Sequence, residues 1–254
     1  MLLTGAAAVA GLVLGPALAL VAARLAAGSS GRRVSTPACQ LVGAGSLPGA
    51  ASPAGPAGGP EPVHSPGVAL ATAAGASVVT GLLFAAVAQR FGADPVLPAF
   101  AYLAAVGVTL SLVDLRSHRL PNALTLPSYP ISACLLGAAA VAGSGSGSLG
   151  RALLGGTASY LLLMALRLAS PRGVGFGDVK LAGVLGMYGG WLGWTAWTLS
   201  LFTASLYAGG VGVVLLASGR AGLRSRVAMG PYLVAGALTA VLVGQQLIDG
   251  AVDL

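Results

Sequence analysis

VKLAGVLGMYGGWLGWTAWTLSLFTASLYAGGVGVVLLA, residues 179–217, contains one charged side chain, Lys180. About 20 apolar residues at 1.5 Å rise cross a 30 Å hydrocarbon core. The stretch is therefore long enough for two membrane spans, with a turn around Gly189–Trp194. Working outward, the same ruler predicts spans near 152–169, 123–142, 97–113, 67–88 and 2–23 on one side and 230–248 on the other. Pro127 and Pro130 are expected to bend or delay the start of the span at 123–142. The fold class is all-α, a polytopic membrane protein with about eight transmembrane helices.

Composition agrees. Of 254 residues, 13 are Lys or Arg and 6 are Asp or Glu, so 7% are charged, while 56% are hydrophobic. Soluble chains average about 25% charged residues, and so few charges could not cover the surface of a soluble domain. An ordinary soluble enzyme, a nucleic-acid-binding protein and a disordered chain are excluded. The formal charge of +7 reports topology instead. With the N-terminus outside, 11 basic residues fall on inner loops and flanks, and Arg90 and Arg151 fall outside. Residues 1–24 read as a retained membrane anchor, because basic residues follow the apolar run instead of preceding it. Residues 25–66, rich in Gly, Pro, Ala and Ser, read as a flexible cytoplasmic loop too apolar-poor to offset its ordering entropy.

Four of the six acids fall in loops or the tail: Glu61, Asp94, Asp249 and Asp253. Asp114 and Asp178 sit at the inner edge of apolar spans. Ionisable residues at membrane depth cost several kcal/mol and mark function by default. The bland alternative is an interfacial anchor beside nearby arginines. Asp178 follows alternating glycines in GVGFGDVK (173–180), where Gly173, Gly175 and Gly177 lack Cβ and allow close backbone approach or positive φ. Such a turn can hold a phosphate, but here the acid would oppose it and no Walker lysine-serine pair follows. Asp114 opens DLRSHRLPNALTLP (114–127), in which Pro121 lacks an amide donor and Asn122 is a good N-cap. His118 is a solvated loop residue or a proton-transfer partner. Two histidines and the separate Cys39 and Cys134 support neither a zinc site nor a disulfide framework, so no metal is expected.

Two aspartates on adjacent helix ends suggest aspartic protease chemistry. Like charges a few Å apart cannot both ionise readily, so the pair shares a proton. The ionised member takes a proton from water while the protonated one polarises the scissile carbonyl. The pair titrates as a unit, which leaves base and acid unassigned.

These residues resemble the type IV prepilin peptidases, membrane aspartic proteases of the Gly-Xaa-Gly-Asp class. GFGDVKLAGVLGMYGGWLGW (175–194) resembles the family's second catalytic segment. DLRSHRLPNALTLP resembles its first, with six residues between Asp114 and Pro121. MGPYLVAGA (229–237) resembles a further segment that opens the last helix. The resemblance covers roughly 97–240 and implies that Asp114 and Asp178 are catalytic. By the same resemblance, Gly175 and Gly177 are the motif glycines, and Pro121, Asn122, Lys180, Gly230 and Pro231 are supporting motif positions. It makes 67–254 the peptidase domain and 25–66 a reduced equivalent of an insertion that carries N-methylation in bifunctional members. It implies type IV pilin or pseudopilin precursors as substrates, cleaved at the cytoplasmic face of the bacterial inner membrane. It implies no cofactor, a lipid bilayer as surroundings and no nucleic acid.

Two other classes stay open on the residues alone. One is an ion-coupled transporter, against which stand the edge position of the acids and the lack of an inverted repeat. The other is a non-enzymatic pilus or secretion assembly component. The bifunctional members' insertion carries two Cys-Xaa-Xaa-Cys pairs, whereas residues 25–66 contain only Cys39, and one thiol cannot build a four-thiolate site. Purified protein given radiolabelled S-adenosylmethionine and a mature pilin is therefore expected to transfer no label; methylated pilin would overturn this.

Overall fold

The computed structural model describes residues 66–117, 120–144, 148–170, 173–218 and 229–252. Among them there are seven helices and no strand. They are α1 (Pro66–Phe91), α2 (Leu97–Ser117), α3 (Asn122–Val141), α4 (Leu149–Ala169), α5 (Phe176–Leu192), α6 (Trp194–Ala217) and α7 (Gly230–Val252). Five of these, α1 to α4 and α6, are long and apolar enough to cross a membrane. The expected first span at 2–23 and the loop at 25–66 lie outside the described residues. The chain is a multi-pass, all-α membrane protein. Eight spans remains the expectation stated above; the described helices number seven.

The long apolar run divides at Gly193, whose φ of +142° is open to glycine and strained for other residues. Its carbonyl still starts α6 by accepting the Trp197 amide. The outer face of α6 shows why this is a membrane helix. Phe202 is 66% exposed and Val213 67% exposed, an arrangement that water disfavours and lipid accepts. Helix α5 is the opposite case, with every residue from Val179 to Trp191 buried except Lys180. A helix apolar on all sides belongs inside a bundle, and α3, α4, α6 and α7 surround this one.

Backbone approach between α4 and α5 governs the packing. A Cβ at Gly155 would lie 2.6 Å from the Gly186 carbonyl oxygen and 2.8 Å from Gly190 Cα. Gly186 and Gly190 are four apart, as are Gly155 and Ser159, so each helix presents a small-residue seam to the other. Trp197 of α6 closes over this seam, its indole N–H donating to Ser159 Oγ at 2.7 Å. Other polar ties also cross helices. Tyr188 Oη donates to Ser132 Oγ at 2.9 Å, and Tyr129 Oη donates to the Lys180 carbonyl at 2.7 Å. Between α1, α2 and α5, the Phe91 ring stacks on Phe100 at a centroid distance of 4.4 Å, and Phe100 meets Tyr188 edge-on at 5.3 Å.

The structure corrects several boundaries. Helix α3 starts at Asn122 with Pro127 and Pro130 inside it, so the prolines do not delay its start. Thr125 and Ser128 hydroxyls bond back to the Pro121 and Leu124 carbonyls, which keeps these polar groups satisfied in an apolar helix. Asn122 is not the N-cap; Pro121 holds that position with φ −71° and ψ 129°. Asp114 lies in the last turn of α2 instead of just beyond it. Asp249 falls within α7, which runs further than expected, and not in a tail. Arg151, expected only as an outer-loop charge, donates to the Gly190 and Trp191 carbonyls at 2.8 and 2.7 Å and so caps the end of α5. Gly155→Leu would force α4 and α5 apart. Overpacking of this kind costs about 1–3 kcal/mol or more, so the variant is expected to unfold at a lower temperature in detergent than Gly209→Ala, whose added Cβ meets nothing within 4 Å.

Candidate active site

Four helix ends meet at one end of the bundle: the last turn of α2 and the first turns of α3, α5 and α7. The loop before α5 folds back on Asp178, whose Oδ2 accepts the Gly175 amide at 3.2 Å. This is half of a capping box, with an acid at the third helical position reaching back to the N-cap amide. Gly175 has φ −72°, so the motif glycine is not needed for a left-handed backbone. It is needed for space, since a Cβ there would lie 2.7 Å from Asp178 Oδ2. The same holds for Gly177, where a Cβ would lie 2.8 Å from Leu120 Cβ. The two motif segments thus touch through a missing side chain.

Asp114 arrives from the opposite direction on α2. It is 5% exposed, and its Oδ2 accepts the Gly230 amide of α7 at 2.9 Å. Asp178 is 8% exposed. Its Oδ1 is buried with no hydrogen-bonding partner among the described residues. The two carboxyls act on each other electrostatically. Asp178 lies in the first turn of α5, outside the five long apolar helices, and its carboxyl is pushed up to about 6. Burial is the larger cause, the like charge of Asp114 adds to it, and the Gly175 amide opposes both.

The supporting residues gather here as well. Lys180 Nζ donates to Asn122 Oδ1 at 2.9 Å, which ties the start of α3 to α5. Pro121 ends the turn from α2, and its carbonyl accepts the Leu124 and Thr125 amides. Gly230 and Pro231 open α7, where a proline costs no hydrogen bond. His118 lies outside the described residues. Several site residues carried no signal in the sequence. Leu120 fills the gap at Gly177, and Arg167 clamps the loop through the Val174 carbonyl at 2.8 Å. Phe176, 42% exposed at the rim, carries the Arg167 guanidinium on its ring at 5.5 Å and the Lys180 ammonium at 4.6 Å. Only the position of Phe176 inside the Gly-Xaa-Gly-Asp motif could have drawn notice to it.

Among the described residues no three His, Cys, Asp or Glu side chains group as metal ligands. Cys134 is exposed on α3, and Cys39 lies outside the described residues. What the arrangement offers is two buried carboxyls that act on each other, with Asp178 Oδ1 lacking a hydrogen-bonding partner among the described residues. Such a pair can activate a water and polarise a carbonyl. Removing one charge tests the coupling. In Asp114→Asn the carbon-13 titration of Asp178 is expected to move below its wild-type midpoint, near 6. It is expected to stay above the usual aspartate range, because burial, the larger cause, persists.

Comparison with known proteins agrees with the geometry. The type IV leader peptidase family matches residues 101–213, a segment that contains both aspartates. A prepilin leader peptidase/N-methyltransferase of Bacillus subtilis is 29% identical over 176 residues, covering 68% of this chain and 67% of that protein. The protein of the same name from Burkholderia pseudomallei is 32% identical over 175 residues, covering 66% and 53%. That from Aeromonas hydrophila is 34% identical over 182 residues, covering 67% and 58%. The matches thus span between about half and two thirds of the relatives' own length. No solved structure matches. The part of the chain that is similar to the type IV leader peptidase family is thus the part that carries both of the paired acids.

Proposed function

We propose that this protein is a prepilin leader peptidase that cleaves type IV pilin or pseudopilin precursors with Asp114 and Asp178 as its catalytic pair. The observation that carries this is the meeting of two buried carboxyls, each held by the amide of a helix start, at one end of a membrane bundle. The family match and the names of the relatives support the same activity. Of the two activities in those names, only the peptidase is proposed, since residues 25–66 hold the single Cys39.

The chemistry follows from one shared proton. The ionised carboxylate accepts a proton from water as the oxygen attacks the scissile carbonyl. The protonated carboxyl donates to the carbonyl oxygen, giving a neutral gem-diol. Collapse breaks the C–N bond as the first carboxyl passes its proton to the leaving amine and the second, now ionised, takes a proton back from a gem-diol hydroxyl, which restores the starting pair. Burial strengthens each of these transfers by excluding water.

A substrate with an apolar helix and a polar leader could lie in the membrane and present its junction to this end of the bundle. Phe176 offers an apolar contact at the rim. The acids' end also carries Arg116, Arg167 and Lys180, and the opposite end carries Arg90 and Arg151. Together with the basic residues of the remaining loops, this supports a cytoplasmic-facing site in the bacterial inner membrane.

Purified protein in detergent is expected to shorten a type IV prepilin at the start of its apolar segment, whereas a transporter or an assembly component would leave it intact. Asp114→Asn and Asp178→Asn are each expected to lower cleavage roughly a thousand-fold or more while inserting normally. Retained cleavage in either would refute the pair. Gly175→Ala displaces a carboxyl directly, and Gly177→Ala pushes on Leu120. Losses on the order of 10- to 100-fold are expected, the former larger. Wild-type cleavage is expected to fall on the alkaline side with an apparent midpoint near 6, as Asp178 loses the proton the pair must share.

A further inference from the structure

Gly230 is separated from Asp114 by 116 positions, yet its amide donates to Asp114 Oδ2 at 2.9 Å in a buried contact. The donors at the start of α7 are otherwise accounted for. Pro231 has no N–H, and the Tyr232 and Leu233 amides both donate to the Met229 carbonyl at 3.1 Å. The Gly230 amide is thus an orphan donor of a helix start, and a carboxylate from another helix satisfies it. Glycine is required there. A Cβ would lie 2.7 Å from Asp114 Oδ2 and 3.2 Å from Asp114 Cβ. A hydrogen bond to the charged form favours that form. The matching contact at Asp178 is longer, 3.2 Å, and leaves Oδ1 without a partner among the described residues.

We propose that the first turn of α7 is the positioning element for Asp114, its Gly230 amide holding that carboxylate ionised and in one orientation toward Asp178. The inference rests on the two-aspartate reading and goes beyond it in giving α7 a part and the pair an asymmetry. Asp114 holds the negative charge and Asp178 the shared proton. The charged groups of the described residues near the pair have partners of their own. From α5, Asp178 faces Asp114, and Lys180 is engaged with Asn122 and the Phe176 ring. Arg167 of α4 is engaged with the Val174 carbonyl and the same ring. Arg116 of α2 is exposed and has an interaction of its own. Gly230 lies outside the matched segment 101–213, so the catalytic acid of one segment is set by a helix beyond it.

The test removes the amide without adding a side chain, by placing glycolic acid at position 230 so that an ester replaces the N–H. Gly230→Ala is its companion, keeping the N–H and adding the obstructing methyl. Carbon-13 titration of labelled Asp114 is followed in the full-length protein in detergent, a readout independent of turnover. In the ester form the Asp114 midpoint is expected to rise by about one pH unit. Prepilin cleavage is expected to show kcat reduced roughly tenfold or more with KM within about twofold, the acid limb of its pH profile moving up in step. An unchanged Asp114 midpoint in the ester form overturns the proposal, even if Gly230→Ala fails to fold. A loss of cleavage equal at every pH also overturns it, since that is the mark of a merely structural role. A shifted midpoint in a protein that never cleaves prepilin would sustain the positioning contact and refute the peptidase reading instead.

Discussion

The backbone contact between α4 and α5 is the constraint on which the rest depends. Because Gly155, Gly186 and Gly190 carry no side chains, the two helices meet closely, and α5 can be enclosed on all sides. Enclosure removes water from around α5. It also fixes where its first turn ends up, at the junction of α2, α3 and α7, so that an acid in that turn is desolvated. In a lipid environment there is no hydrophobic drive to press helices together, and small residues with polar ties do that work. The Trp197, Tyr129 and Tyr188 hydrogen bonds are those ties.

Burial of a charge is expensive unless something compensates it. The site meets that cost unequally at its two acids. Asp114 receives a buried amide from α7, whereas Asp178 receives a longer bond from its own loop and keeps an oxygen without a partner among the described residues. Inequality is useful in a pair that must hold one proton between two sites. A symmetric pair would leave a proton's location to small fluctuations, whereas unequal hydrogen bonding favours one arrangement.

How much was legible depended on the kind of signal. The spans were legible because apolar length is a local property, and most boundaries fell within a few residues of the expected ones. The division of the long run was placed around Gly189–Trp194 and is found at Gly193. Asn122 misled because a capping preference is a tendency of isolated helix starts. Here Pro121 takes the cap, and Asn122 is held by Lys180, 58 positions away. Asp114 and Asp178 stood out because nearly every other acid had a place in a loop. Leu120, Arg167 and Phe176 did not stand out, since each is an ordinary residue until the fold gives it a neighbour.

By itself the sequence determined that the chain crosses a membrane as helices and that two acids sit at the edges of its apolar runs. Those are consequences of composition and spacing, which do not depend on distant contacts. It also marked Gly175 and Gly177 as positions where a missing Cβ allows close approach or positive φ, and of these Gly175 does not use positive φ. Only the tertiary structure decided that these glycines make room for Asp178 and Leu120, that Arg151 closes the far end of α5, and that α7 supplies an amide to Asp114. Each of these depends on groups far apart in the chain coming within hydrogen-bonding or van der Waals distance. That proximity comes from helix packing, which no local pattern encodes.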